Sequence, residues 1–168
     1  MPSFIKALCG VVLLVGIVCV TAAQSEVNFS GTWLLNRAKS DLPQFRNLEE
    51  DRDASLTMIV EHQGQTLRVT RHIKIDREEQ KETHTYKTDG TETTNTGLRG
   101  ESVVTKAHWE GKTLVVQSTR KVSMLVKDIA VETRGVWSLS PDGKTLTIDG
   151  VMHGPRGEQR MRGVFEKR

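Results

Sequence analysis

Residues 24–168 contain no cysteine; the chain's two, Cys9 and Cys19, both fall in its first 23 residues. That long stretch therefore has neither a disulfide staple nor a cysteine-based metal site. Aromatics are scarce, at 5%, with one Tyr and three Trp. A surplus of one charge is missing too. Lys and Arg number 24 against 21 Asp and Glu, a net +3 that becomes +2 without Lys6. So small a balance gives no basis for nucleic-acid binding. Apolar residues are thin beyond the N-terminus: residues 1–23 hold 17 of the 61, leaving 44 of 145, about 30%. One ordinary domain fits that remainder. No Gly-x-Ser-x-Gly elbow and no phosphate-cradling glycine loop occurs. The five histidines, His62, His72, His84, His108 and His153, show no close metal-ligand spacing. No catalytic residue, metal or cofactor is assigned from the sequence.

What is present begins at the N-terminus. Lys6 precedes an apolar run, Ala7 to Val20, followed by Thr21-Ala22-Ala23 and then polar Gln24-Ser25-Glu26. A charged start, an apolar stretch and small exit residues make a secretory signal peptide over residues 1–23, cleaved after Ala22 or Ala23. The rival is an uncleaved anchor, since the run approaches the length that spans a bilayer. Cys19 follows Val18 rather than a small residue, which disfavours a lipoprotein. The expected product, 24–168, is secreted or periplasmic and keeps no stable membrane span.

That product contains 17 Thr and many Val and Ile. Four turn signals separate its β-branched stretches: Gly64-Gln65, Asp89-Gly90, Glu110-Gly111 and Pro141-Asp-Gly-Lys144. This is the pattern of consecutive hairpins. A re-entry phrase recurs at Gly64-Gln-Thr-Leu, Gly111-Lys-Thr-Leu and Gly143-Lys-Thr-Leu, with starts 47 and 32 residues apart. Unequal spacing argues against propeller blades or a solenoid. Ten strands are expected, at 29–35, 55–62, 66–75, 80–87, 91–97, 101–109, 113–121, 128–139, 145–152 and 158–167. Between the first two, Pro43, Phe45 and Leu48 allow one short helix within Asn36–Ala54, or a charged surface loop.

Opposed residues of an antiparallel pair share a face. A turn at Gly64-Gln65 pairs Val60 with Val69, Met58 with Arg71 and Leu56 with Ile73. A turn at Asp89-Gly90 pairs Tyr86 with Thr93, His84 with Asn95 and, on the wet side, Lys87 with Glu92. The Pro141–Lys144 loop pairs Leu139 with Leu146 and Trp137 with Ile148. A loop at Gly154–Gly157 sets Leu146 against Phe165 and Asp149 against Arg162. Glu110-Gly111 leaves two registers open; a two-residue loop turns Trp109, Ala107 and Thr105 inward. The fold class is therefore all-β: an up-and-down antiparallel meander closing into a barrel of eight to ten strands behind an N-terminal signal helix. Outward faces rich in Thr, Lys, Glu and Arg, with few aromatics, exclude an outer-membrane barrel.

The product opens with Asn28-Phe-Ser-Gly31-Thr32-Trp33. Gly-x-Trp on the first strand of a meander resembles the lipocalin and wider calycin signature, and the chain looks like bacterial secreted lipocalin-like proteins. The resemblance implies that Gly31 and Trp33 close the barrel. It also implies an Arg from a late strand against the Trp, here Arg160, Arg162 or Arg168. Ten strands and no C-terminal helix look closer to fatty-acid-binding proteins. The Arg-x-Tyr ligand motif of that group is absent, because Arg160-Met-Arg162 stands in its place.

The functional lead is the polar part of the inward face. Arg71, His84, Tyr86, Thr93 and Asn95 fall inside, where polar groups need partners. Arg71, His84, Tyr86 and Asn95, with Met58 and Trp109 as apolar wall, are the expected contacts to a small hydrophobic or amphipathic ligand. The bland alternatives are an Arg71–Glu82 pair, a wet edge at His84–Tyr86, and an envelope interaction module with a filled barrel. Val122-Ser-Met-Leu-Val126 is either a portal loop or a continuation of the flanking strands.

Overall fold

The computed structural model describes residues 27–42, 53–75, 78–123, 128–155 and 157–168. The expected signal segment, Phe45 with Leu48, and Met124–Val126 lie outside the described residues.

Ten strands run in chain order: β1 (Gly31–Leu35), β2 (Ser55–Gln63), β3 (Thr66–Ile75), β4 (Glu78–Lys87), β5 (Thr93–Thr96), β6 (Ser102–Glu110), β7 (Thr113–Ser123), β8 (Asp128–Leu139), β9 (Thr145–Gly154) and β10 (Gly157–Lys167). They form one antiparallel sheet in the order β4-β3-β2-β1-β10-β9-β8-β7-β6-β5. Sequence neighbours are thus sheet neighbours except β4 and β5, and β1 joins β10 through pairs such as Leu35 with Phe165. The result is a nearly closed ten-stranded barrel, as expected. In the described part of Asn36–Ala54, a single 3-10 turn, Arg37–Lys39, follows β1, capped by the Asn36 side chain.

Most of the expected registers hold. Val60 pairs with Val69, Met58 with Arg71, Leu56 with Ile73, Trp137 with Ile148 and Asp149 with Arg162. The open register at Glu110 resolves to a two-residue loop, which pairs Trp109 with Leu114 and Ala107 with Val116. One expected hairpin is corrected. Tyr86 and Thr93, His84 and Asn95, and Lys87 and Glu92 form no ladder, because β4 and β5 are the two free edges of the sheet. The connection between them has other partners. The Thr88 N–H donates to the Gln65 carbonyl at 2.9 Å and the Gly90 N–H to the Ala107 carbonyl at 2.8 Å. Backbone groups bound to the β2–β3 turn and to β6 in this way are not available to zip β4 onto β5.

The inner face changes character along the barrel. At the end carrying the β2–β3, β6–β7 and β8–β9 turns, the inward side chains are fully packed. Phe29, Trp33, Leu67 and Leu146 are each 0% exposed, and Trp137 only 3%. Phe29 stacks on Trp109 at 5.7 Å and meets Trp137 edge-on at 5.9 Å. Towards the other end, inward side chains of β7–β10 are only half-buried: Arg120, Val122, Val131, Met152 and Gln159.

The Gly-x-Trp motif has a physical role at the packed end. Trp33 Nε1 donates to the Phe29 carbonyl at 2.9 Å. A Cβ on Gly31 (φ +147°) would stand 2.8 Å from Lys167 Cε. The bare glycine lets the Lys167 stem cross to the Trp33 ring, with Nζ 5.3 Å from its centroid. The cation on the tryptophan is therefore a lysine. Of the expected arginines, Arg162 faces outward to Asp149 at 2.9 Å and Arg160 to Glu158 at 3.6 Å, while the Arg168 backbone N–H bonds Thr32. A cation over an indole contributes about 0.5–1 kcal/mol at an exposed site.

Candidate functional site

Adjacent strands β3 and β4 assemble a polar ring on the inner wall. Their register sets Arg71 opposite Glu82 and Val69 opposite His84. Strand alternation then turns Glu82, His84 and Tyr86 to one face. Arg71 Nη2 donates to Tyr86 Oη at 3.1 Å. Tyr86 Oη lies 3.3 Å from His84 Nδ1. The phenol accepts from Arg71 and keeps its own proton to give to a neighbouring acceptor. His84 Nε2 sits 2.6 Å from Glu82 Oε1. Arg71 Nη1, 3.6 Å from the same Oε1, completes the ring.

Burial is deep on the β4 side, with Glu82 7%, His84 4% and Tyr86 3% exposed. Burial pushes the Glu82 carboxyl up, but the contact with His84 and the charges of Arg71 and Arg120 outweigh it and hold it below the ordinary range. Burial likewise works against the Arg71 cation, and Tyr86 and Glu82 hold its pKa above the usual value.

A second ion pair stands nearby. Arg120 on β7 contacts Glu101 at 2.8 Å. Burial raises the Glu101 carboxyl and neighbouring Glu82 adds to that; its own backbone N–H, that of Arg99, and Arg120 bring the net shift below normal. Neither Arg120 nor Glu101 was identified from sequence. The alternation Val116-Ser118-Arg120 carried the signal for Arg120 once the two-residue turn is known. Glu101 shares the parity of Thr105, Ala107 and Trp109 in the strand expected at 101–109, which carried its signal; in the structure it lies just before β6.

The other expected residues lie elsewhere. Met58, 1% exposed, packs in the core beside Trp33. Trp109 belongs to the aromatic stack of the packed end. Asn95 spans the β4–β5 seam. It accepts from the Thr85 N–H at 2.7 Å, and its amide nitrogen donates to the Thr85 carbonyl and to Thr105 Oγ1, both at 3.1 Å. Thr93 joins it, donating to the Thr85 carbonyl at 2.9 Å. A side-chain amide there mimics the missing strand. His72 and His108 face outward as expected, to Glu79 at 3.0 Å and Glu110 at 3.1 Å. Among the described residues, no group of three His, Cys, Asp or Glu is arranged to hold a metal ion. An open depression of about 350 Å³ lies along β8–β10, lined by Arg134, Val136, Asp149 and Arg162 among others, apart from the ring. Arg134 and Arg162 there already face Glu110 and Asp149.

No protein-family model and no curated protein matches the chain. Solved structures do. Zebrafish ileal bile acid-binding protein complexed with cholic acid superposes with a TM-score of 0.60 at 16% identity, over 83% of this chain and 98% of that one. A Schistosoma mansoni fatty acid binding protein in complex with arachidonic acid gives 0.53 at 14%, over 86% and 98%. Secretory abundant heat soluble protein 4 of Ramazzottius varieornatus gives 0.55 at 13%, over 83% and 94%. At such identities the likeness establishes the ten-stranded barrel fold.

Proposed function

We propose that the barrel holds a small hydrophobic or amphipathic molecule in its half-buried end, in a protein exported through a cleaved leader. The observation that carries this reading is the gradient of the inner face. One end is packed solid, while towards the other Val122, Val131 and Met152 are half-buried and Arg71, on the same inner face, is 23% exposed. Apolar lining with a few fixed polar groups suits a lipid-like ligand. The superposed proteins with cholic acid and with arachidonic acid support it by analogy of fold.

The test is native mass spectrometry of the protein purified from its own host. A retained small molecule, lost or weakened about tenfold in Arg71→Ala, is the expected result. Unchanged retention in that variant refutes Arg71 as an anchor. N-terminal sequencing of the exported form tests the leader, with Ala23 or Gln24 expected first. The ring gives the second reading its support. Arg71, Tyr86, His84 and Glu82 face one another, as in a filled barrel that serves as an envelope interaction module. A protein with no retained molecule and no uptake of an apolar dye is the outcome that favours it.

A further inference from the structure

We infer that the inner site selects uncharged amphipathic molecules, with a hydroxyl or amide head, over free carboxylic acids of the same chain length; this rests on the barrel binding proposed above. The ground is the charge balance of the wall. Four charged side chains cluster there among the described residues: Arg71 with Glu82 at 3.6 Å, and Arg120 with Glu101 at 2.8 Å. Each cation already has its own carboxylate, so these four charges balance. A ligand carboxylate at Arg71 also meets Glu82, whose side chain is only 6% exposed and little screened by water. Two carboxylates in one desolvated site repel each other. At Arg120 the same penalty arises from Glu101.

An uncharged head escapes it and answers two needs of the ring. Both side-chain contacts of Glu82 fall on Oε1, from Arg71 Nη1 at 3.6 Å and His84 Nε2 at 2.6 Å, so its carboxylate has capacity for a further donor on Oε2. A ligand hydroxyl or amide N–H supplies that donor. The guanidinium of Arg71 carries five N–H donors, and one of them has Tyr86 Oη as its acceptor. A hydroxyl or amide oxygen of the ligand is a further acceptor for it. The chain then lies against Val122, Val131 and Met152, where half-buried apolar surface favours an alkyl tail.

The experiment compares monoolein with oleate, two molecules with one acyl chain and different heads. The protein, expressed from its full coding sequence, is loaded with Nile red, and each lipid is titrated below its aggregation threshold. Monoolein is expected to displace the dye at about tenfold lower concentration than oleate. Glu82→Gln is expected to move the ratio towards oleate by about fivefold or more, as is Glu101→Gln if the first variant does not fold. Equal or stronger competition by oleate in the unaltered protein overturns the inference and leaves barrel binding standing. Absence of dye uptake, together with absence of either lipid as an adduct in native mass spectra, overturns both.

Discussion

Replacing Asn95 by Ala tests the idea that one side chain closes the β4–β5 seam. Three hydrogen bonds disappear. The gravest loss is the 2.7 Å bond from the Thr85 N–H, because that half-buried donor is left without an acceptor, a cost of about 1–3 kcal/mol. The two bonds donated by the Asn95 amide matter less. The Thr85 carbonyl keeps the Thr93 hydroxyl at 2.9 Å, and Thr105 Oγ1 keeps its 2.7 Å contact with Thr93. Together the losses come to about 2 kcal/mol, with the lower range of a net hydrogen bond assigned to each compensated one. Urea unfolding measures the global part. Amide hydrogen exchange at Thr85 measures the local part, with about 30-fold faster exchange expected if it opens with the seam. Asn95→Asp keeps the acceptor but not the donors and should fall between Ala and wild type. Thr94→Ala, at an exposed position of the same strand, is the control and should stay within about 0.5 kcal/mol. If Asn95→Ala matches that control and Thr85 exchange is unchanged, the side chain does not hold the seam.

Trp33→Ala should destabilise the barrel by about 3–5 kcal/mol, since it empties a fully buried site at the packed end; chemical denaturation reads the loss, and a cost under about 1 kcal/mol contradicts the core assignment. Glu82, held below its ordinary carboxylate range, contributes stability that is fully present above about pH 4.5 and is lost as pH falls through the folded value. Thermal midpoints of Glu82→Gln should therefore fall less steeply than those of the wild type from about pH 4.5 downward, and parallel curves would show that the carboxylate is not coupled to folding.

Turn chemistry and strand alternation made most of the barrel legible beforehand. Glycine-containing turns fix opposed positions arithmetically, so Val60–Val69 and Trp137–Ile148 followed from residue numbers alone. The seam was not legible. Asp89-Gly90 looks like any hairpin turn locally, and only the binding of Thr88 to the β2–β3 turn and of Gly90 to β6 reveals that it is not one. Parity also placed Arg71, His84 and Tyr86 inside. It did not separate Met58 and Trp109 of the packed end from the open half, because burial depth along a barrel depends on how far each strand extends. The lysine over Trp33 was hidden for a related reason. Lys167 reaches the indole by crossing a glycine, a contact that no alternation rule encodes.

The pairing of β1 with β10 also imposes an order in time. Every other ladder joins strands adjacent in sequence, and such local hairpins are able to form as the chain emerges. β1 is different, because on one side its partner is Phe165–Lys167, some 130 residues later. Loop closure over that distance comes late and is entropically costly. Until it happens, the Trp33 side of β1 has only β2 for company, and the packed end has a missing wall. Closure of the barrel therefore waits on β10: hairpins between neighbouring strands can come first, but the wall beside Trp33 is complete only when Phe165–Lys167 docks on β1.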